Sequence, residues 1–368
     1  MLILETTRSE LSKPLQIVSG IIERRHTMPI LSNVLVENKA GQVSFTGTDL
    51  EIQMQTLGPK VDTPEFAFTT NVRKFLDILK ALPENALVSI TLEKQVLTIR
   101  SGKGCYNLQV LSPKDFPIMH VDSQVKATFS IKQAVLHEML SLIQYAMAAQ
   151  DIRYYLMGVL LQIADKEIKI VATDGHRLAY ASHAMTAQLP EVGDVIIPRK
   201  TILELYKLLT SAEELITVEL LPDKIRFSTK ETIIISKIIE SKFPNYTAVI
   251  PRDNHNVVES NRLELLGALE RVSVLANEKL RGVNLFLRPG KLTISCSNNE
   301  QELAQEELDI VYQGAQLDMA FNIIYLLDVL RSVKSEAVRL AFGSEKSSSL
   351  FTVPDNQHFK YIVMPMKI

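Results

Sequence analysis

Residues 158–180, GVLLQIADKEIKIVATDGHRLAY, decide the fold, because the same pattern occurs three times along the chain. Apolar and polar residues alternate over two short runs joined by a polar turn, which is the signature of a β-hairpin with one buried face. The earlier copy is residues 33–54, NVLVENKAGQVSFTGTDLEIQM, and the later one is residues 282–304, GVNLFLRPGKLTISCSNNEQELA. Each has Gly or Asp at a turn.

Working outward from the hairpins, each copy is preceded by one helical face with apolar residues at offsets 0, 4, 7 and 11. The residues are Leu11, Leu15, Val18 and Ile22; then Leu136, Leu140, Ile143 and Met147; then Leu265, Leu269, Val272 and Ala276. Thr7 with Glu10, and Ser130 with Gln133, are spaced as capping boxes, and Asn261 with Glu264 is a looser version. Pro14 is expected to interrupt the first helix. A second helix follows each hairpin, carrying Leu76, Leu79 and Leu82, then Ile202, Leu205 and Leu208, then Leu327, Leu330 and Val333. Residues 88–102, 216–230 and 337–353 supply a closing set of strands. The period is about 125 residues, too long for a solenoid, so each repeat is a domain. Short polar joints near residues 122–124 and 253–256 put the domains at 1–123, 124–253 and 254–368. The fold class is α+β: three similar domains, each an antiparallel β-sheet set covered by two helices.

The chain has 368 residues, 46% of them hydrophobic and 22% charged, enough to bury real cores. The formal net charge of −2 argues against a large basic surface that grips DNA through its phosphates. Cys105 and Cys296 stand apart, with no neighbouring Cys/His cluster, so neither a zinc site nor a disulfide framework is indicated. The start has no basic head or apolar stretch of a leader, and no run of about 18 apolar residues occurs, so a cytosolic location is expected.

Asp174 beside His176 is the most enzyme-like feature. Thr48-Asp49 and Asn298-Asn299 occupy the same place in the other two repeats, which points to turn chemistry instead. No GxSxG, HExxH or Walker loop is present. The second helices carry Arg73 and Lys80, Lys200 and Lys207, and Arg331 and Lys334. These cations suit either phosphates or an ordinary solvated face shared with Asp77, Glu204 and Asp328. The residues alone leave three readings open: an arc of repeats that closes or grows by head-to-tail contact, an enzyme using Asp174 and His176, and a protein scaffold unrelated to DNA.

The stretches QDIRYYLMG at 150–158, ATDGHRLA at 172–179, PRK at 198–200, KFPNY at 242–246, NEKLRGV at 277–283 and YIVMPMKI at 361–368 resemble the bacterial beta sliding clamp family. The resemblance runs in order over the whole chain. It implies a non-catalytic homodimeric ring around double-stranded DNA, with sheets outside and helices lining the hole, and with no cofactor and no metal. Implied partners are the DNA polymerase III alpha subunit, the clamp loader delta subunit, and other polymerases and repair proteins carrying clamp-binding peptides, with no membrane. By position, the resemblance implies DNA contacts at Arg25, Arg73, Gln150, Tyr154, Tyr155 and Lys200. It implies a peptide cleft of Leu156, Thr173, Gly175, His176, Arg177, Leu178, Pro244, Val249, Val363, Met364, Pro365 and Met366. Methionine and leucine give such a groove adaptability, although YIVMPM also reads as a last core strand. Thr247-Ala248 stands where relatives often have arginines, so a charged contact at that rim is not implied. The implied dimer seam sets Lys74, Ile78, Leu82, Tyr106 and Leu108 against Val274 and Leu275.

Overall fold

The computed structural model describes residues 2–23, 27–121, 124–164, 166–186, 189, 192–209, 213–354 and 356–367. Each repeat presents the same order of elements. In the first these are β1 (Leu2–Thr7), α1 (Arg8–Ser19), β2 (Asn33–Lys39), β3 (Gln42–Thr48), β4 (Ile52–Lys60), β5 (Phe66–Asn71), α2 (Val72–Ala81), β6 (Leu87–Glu93), β7 (Val96–Ser101) and β8 (Gly104–Leu111). The second has β9 (Ala127–Lys132), α3 (Gln133–Ile143), β10 (Gly158–Ala164), β11 (Glu167–Thr173), β12 (Arg177–Ala184), β13 (Val192–Pro198), α4 (Arg199–Leu208), β14 (Leu215–Leu220), β15 (Lys224–Ser228) and β16 (Thr232–Lys237). The third has β17 (Asn256–Asn261), α5 (Arg262–Ser273), β18 (Gly282–Arg288), β19 (Lys291–Ser297), β20 (Leu303–Asp309), β21 (Leu317–Asn322), α6 (Ile323–Ser332), β22 (Ala337–Phe342), β23 (Ser349–Val353) and β24 (Asn356–Val363).

The helix faces read from the sequence are the buried ones. Leu11, Leu15, Val18 and Ile22 lie in the core, as do Leu136, Leu140, Ile143 and Met147, and Leu265, Leu269 and Val272. Burying each such side chain contributes about 1.5–3 kcal/mol. Thr7 and Glu10 form the expected capping box on α1, and the Asn261 side chain caps α5 by accepting the N–H groups of Leu263 and Glu264. Ser130 is no cap: it lies in β9, where its hydroxyl meets that of Thr217, and α3 starts at Gln133. Pro14 does not break α1, which runs through it with the ring buried. A strand before each first helix, β1, β9 and β17, adds to the expected plan.

Each repeat has two four-stranded halves. The strand before the first helix pairs with the set after the second helix, as in β1 with β6, β9 with β14 and β17 with β22. The strands between the helices form the other half, in the order β5-β2-β3-β4 and its equivalents. The halves of each repeat's sheet set also pair across the repeat borders. β4 pairs with β16, and β12 pairs with β24, so the sheets cross from one repeat to the next.

The residues accordingly pack as two compact units, Met1–Ala134 with Leu203–Ile238, and Val135–Ile202 with Ile239–Ile368. The first holds a 12-stranded sheet ordered β1-β6-β7-β8-β5-β2-β3-β4-β16-β15-β14-β9, with α1 packed on β3, β4 and α2. The second holds an 8-stranded sheet, β13-β10-β11-β12-β24-β23-β22-β17, and a 4-stranded sheet, β20-β19-β18-β21, with α5 packed on β19, β20 and α6. No helix among the described residues is long and apolar enough to cross a membrane.

Cys296 in β19 is 1% exposed, and burial pushes its thiol up to about 11. At pH 8 it should stay unmodified by a disulfide reagent in the native protein and react once urea unfolds the chain. Equal rates in both states would contradict this burial.

Candidate functional site

The Thr-Asp turn between β11 and β12 is built by short side chains answering the backbone. The Thr173 hydroxyl donates to the Arg177 carbonyl at 2.6 Å and accepts from the Gly175 N–H at 3.1 Å. One Asp174 oxygen accepts from the N–H groups of His176 and Arg177 at 2.9 and 3.0 Å. Residues 48–52 repeat this arrangement: Thr48 donates to the Ile52 carbonyl at 3.0 Å, and Asp49 accepts from Glu51 and Ile52 at 2.9 and 2.8 Å. In the third repeat, Asn298 accepts from Glu300 and Glu302 at 2.9 and 3.0 Å. Asp174 is therefore committed to a turn shared by all three repeats, and its adjacency to His176 needs no acid–base explanation. Gly175 has a φ of +90°, the left-handed region where glycine is unstrained.

Arg177 begins β12, and its guanidinium runs into the protein body, leaving the side chain 10% exposed. It binds Asp174 at 3.0 Å and Asp328 of α6 at 2.6 Å, donates to the Tyr145 carbonyl, and lies 4.3 Å from the Tyr325 ring centre. Burial works against its charge, but Tyr361, Asp328 and Asp174 outweigh that cost and hold it above the ordinary guanidinium range. Burial also keeps the neighbouring Tyr145 phenol neutral by raising it. One side chain thus ties the turn to the end of α3's segment and to α6.

The end of β24 completes the region. Val363 pairs with Arg177, and the Met364 N–H donates to the His176 carbonyl at 2.9 Å. Two residues on, the Met366 N–H donates to the Ala320 carbonyl of β21 at 2.7 Å. The tail therefore joins the 8-stranded sheet to the 4-stranded one. Leu178 packs in a core cluster with Phe243, Tyr246 and Ile362, which brings residues 243–249 to the same edge. Of the cleft residues expected from sequence, Leu156, Thr173, Leu178 and Val363 are buried. Gly175, Pro365 and Met366 are half-buried, while His176, Pro244, Val249 and Met364 are exposed. Val249 and Met364 are 36% and 39% exposed. Thr247 and Ala248 are exposed beside them.

Gln150, Tyr154 and Tyr155 lie on a loop closed by the Ala148 N–H bonding to the Leu156 carbonyl at 3.0 Å. Gln150 and Tyr154 are exposed, Tyr155 is half-buried, and the two rings meet edge to face with centroids 6.1 Å apart. Asp151 and Arg153 in this loop were not singled out from sequence. Arg153 holds the Asp151 carboxyl down at about 2, through hydrogen bonds to it from its side chain and backbone. Ile152 at the loop tip is 97% exposed, and nothing in its own residue type announces that.

Arg73 and Lys80 are exposed on α2, and Lys200 is half-buried in α4. Lys207 and Arg331 are taken up by Glu204 and Glu270, at 2.7 and 2.9 Å, so the solvated-face reading fits these two better. Arg25 lies outside the described residues. Among the seam residues, Lys74 and Leu108 line one recess of about 550 Å³ with Asn71, Asn107 and Gln109. Ile78 and Leu82 are half-buried, Tyr106 is exposed, Val274 is 79% exposed and Leu275 is half-buried. Among the described residues, no group of three or more His, Cys, Asp or Glu side chains could hold a metal ion.

Three structurally equivalent repeats thus pair strands across their borders, with exposed Val249 and Met364 at one edge. Profiles of the DNA polymerase III beta subunit match the chain in sequence, with the N-terminal domain at residues 2–120, the central domain at 130–245 and the C-terminal domain at 247–367. The chain is 40% identical over 365 residues to the beta sliding clamp of Pseudomonas putida, covering 98% of each, and 39% identical over 362 residues to that of Escherichia coli. It superposes on the Pseudomonas aeruginosa sliding clamp bound to griselimycin with a TM-score of 0.94 at 40% identity, covering 100% of both chains. The Bartonella birtlesii clamp bound to griselimycin gives 0.94 at 30% identity, covering 99% of both. The chain belongs to the DNA polymerase III beta subunit family. It is accordingly a processivity factor that works with DNA and the polymerase, and not an enzyme.

Arg177→Ala would leave two partly buried carboxylates facing each other. Because Asp174 and Asp328 keep 16% and 26% of their side-chain exposure, we expect a cost of about 2–3 kcal/mol, below that of a fully buried pair. Calorimetry should show a melting temperature lower by several degrees, with Arg177→Lys restoring only part because lysine lacks the planar fork. Unchanged melting of the alanine variant would contradict the tie.

Proposed function

We propose that two copies of this chain close head to tail into a ring that encloses duplex DNA, and that the edge formed by residues 173–178, 244–249 and 363–366 docks partner peptides. The observation that carries the ring is a rule of strand pairing. The strand that ends the hairpin set, β4 or β12, is completed by the last strand of the following repeat, β16 or β24. In the third repeat the equivalent strand, β20, is a sheet edge. The last strand of the first repeat, β8, pairs with β5 only through Val110 and Leu111, which leaves the other side of residues 104–109 open for a partner. A second copy's β8 satisfies β20 as β16 satisfies β4, and the same contact repeats on the other side. Tyr106 and Leu108 lie on β8, Lys74, Ile78 and Leu82 on or just after α2, and Val274 and Leu275 just after α5. Tyr106 and Leu108 thus lie on a strand that the rule joins, and the packing of α2 on β8 and of α5 on β20 supports the remaining seam residues.

The domains of this ring are residues 1–123, 124–253 and 254–368, a division supported by eight strands and two helices in each. Arg25, Arg73, Gln150, Tyr154, Tyr155 and Lys200 are the DNA contacts. Long cations and tyrosines without a base-reading constellation suit a ring that must move along DNA rather than stop. At the cleft, His176, Pro244, Val249 and Met364 are the exposed contacts, and Leu156, Thr173, Leu178 and Val363 form the layer that holds them. The alpha subunit, the clamp loader delta subunit, and other polymerases and repair proteins dock there through short peptides. These events take place in the cytoplasm.

Three measurements test this reading. After loading on nicked circular DNA, the protein should be retained until the circle is cut once; retention on the linear form would show grip rather than enclosure. Met364→Ala combined with Met366→Ala should weaken binding of a peptide from the cognate alpha subunit about tenfold or more, equivalent to about 1.4 kcal/mol. Unchanged affinity would remove the cleft assignment. Leu275→Asp should shift the sedimenting species from dimer to monomer, and an unshifted dimer would refute the seam.

A further inference from the structure

Arg153 belongs at once to the loop and to the turn on which the proposed DNA and peptide contacts lie. Within the loop, Asp151 accepts the Arg153 backbone N–H at 2.8 Å and takes its guanidinium through two bonds, 3.0 Å from Nε and 2.8 Å from Nη2. Across to the turn, the same Nη2 donates to the Asp174 carbonyl at 3.4 Å. The guanidinium covers Gly175 so closely that a Cβ there would sit 3.0 Å from Nη2 and 3.1 Å from Nη1. The next residue, His176, gives its carbonyl to the Met364 N–H at 2.9 Å. A short series of contacts therefore runs from Asp151, in the loop that carries Gln150 and Tyr154, through Arg153 and Gly175 to His176 and Met364.

We propose that Arg153 is a positioning residue that couples the two contacts, so that the cleft binds its peptide more tightly when the ring carries DNA. The inference rests on the cleft and DNA-contact reading above. The loop must be ordered for DNA to lie against Gln150, Tyr154 and Tyr155. An ordered loop fixes the Arg153 guanidinium, whose side chain is otherwise 46% exposed, over Gly175. The turn that bears His176 and the Met364 backbone is then already in place when a peptide arrives, and its ordering no longer opposes binding. Linkage makes the effect reciprocal: a docked peptide strengthens the loop's hold on DNA by the same factor.

The test compares the affinity of a fluorescein-labelled peptide from the cognate alpha subunit for free rings and for rings loaded on a nicked circle. Loaded rings should bind the peptide about fivefold more tightly, and a single cut in the circle should return the affinity to the free value. In Arg153→Ala the loaded-to-free ratio should fall to near one. Asp151→Asn, which keeps the guanidinium but weakens the loop's hold on it, should lower the ratio as well. Because only a ratio is read, a general loss of peptide affinity in either variant does not imitate the result. A ratio near one in the unaltered protein overturns the coupling and leaves the cleft reading standing. A fivefold ratio preserved in both variants overturns the role of Arg153. Absence of peptide binding to the free, unaltered ring overturns the cleft reading and the coupling together.

Discussion

An open strand edge is the constraint on which the rest of this architecture depends. A row of unpaired N–H and C=O groups must be matched, covered or left to water. In this chain, each half-sheet that follows a first helix ends on such an edge, at β4, β12 and β20. The first two are matched by strands lying far along the chain, as in Ile234 with Met54 and Ala179 with Tyr361. That matching sets the packing units: the central repeat is divided, with β14–β16 joining the first repeat's sheet and β10–β13 joining the third's. Repeats in sequence and units in packing are therefore different divisions of one chain.

This difference explains what could be read in advance. Local signals served well, because a capping box at Thr7 and Glu10, an Asn261 cap and a 3.6-residue apolar face act over a few residues. The triplication, the helix faces and the hairpins were all legible on that basis. The strands before the first helices were not. Each is six residues long, and each finds its partner far away, as Thr7 does at Leu87. Ser130 misled for the same reason: its spacing to Gln133 imitates a cap, while the strand pairing that claims it comes from residue 217. The polar joints between repeats could be placed, but the strand pairings that cross them, β4 with β16 and β12 with β24, carry no local mark.

The candidate site divides along the same line. The turn at Thr173-Asp174 was legible as turn chemistry, since its counterparts at Thr48-Asp49 and Asn298-Asn299 stand at equal spacing; the first two share their hydrogen bonds, and in the third Asn298 closes the turn in a related way, through the N–H groups of Glu300 and Glu302. The direction of Arg177 was not legible, because Asp328 lies 151 residues away and looked like part of a solvated helix face. Placing Arg177 among the expected cleft residues left out what its guanidinium does, which is to brace the Thr173-Asp174 turn through Asp174 and Asp328. Arg153 was not singled out beside Tyr154 and Tyr155, and its hold on Asp174 and Gly175 lies more than twenty residues along the chain. In both cases charge and spacing were visible, and long-range pairing was not.

The pairing rule has a mechanical consequence. In the proposed ring, every joint between neighbouring repeats is the same kind of strand contact, yet two of the three in each copy are spanned by the polypeptide itself. Where the chain crosses, a parted joint keeps its halves at high effective concentration and they re-form at once. Between β20 and the next copy's β8 no chain crosses, so parted strands are free to move away. The gate of the ring needs no weaker chemistry than its walls; the absence of a covalent hinge is enough to mark where it opens.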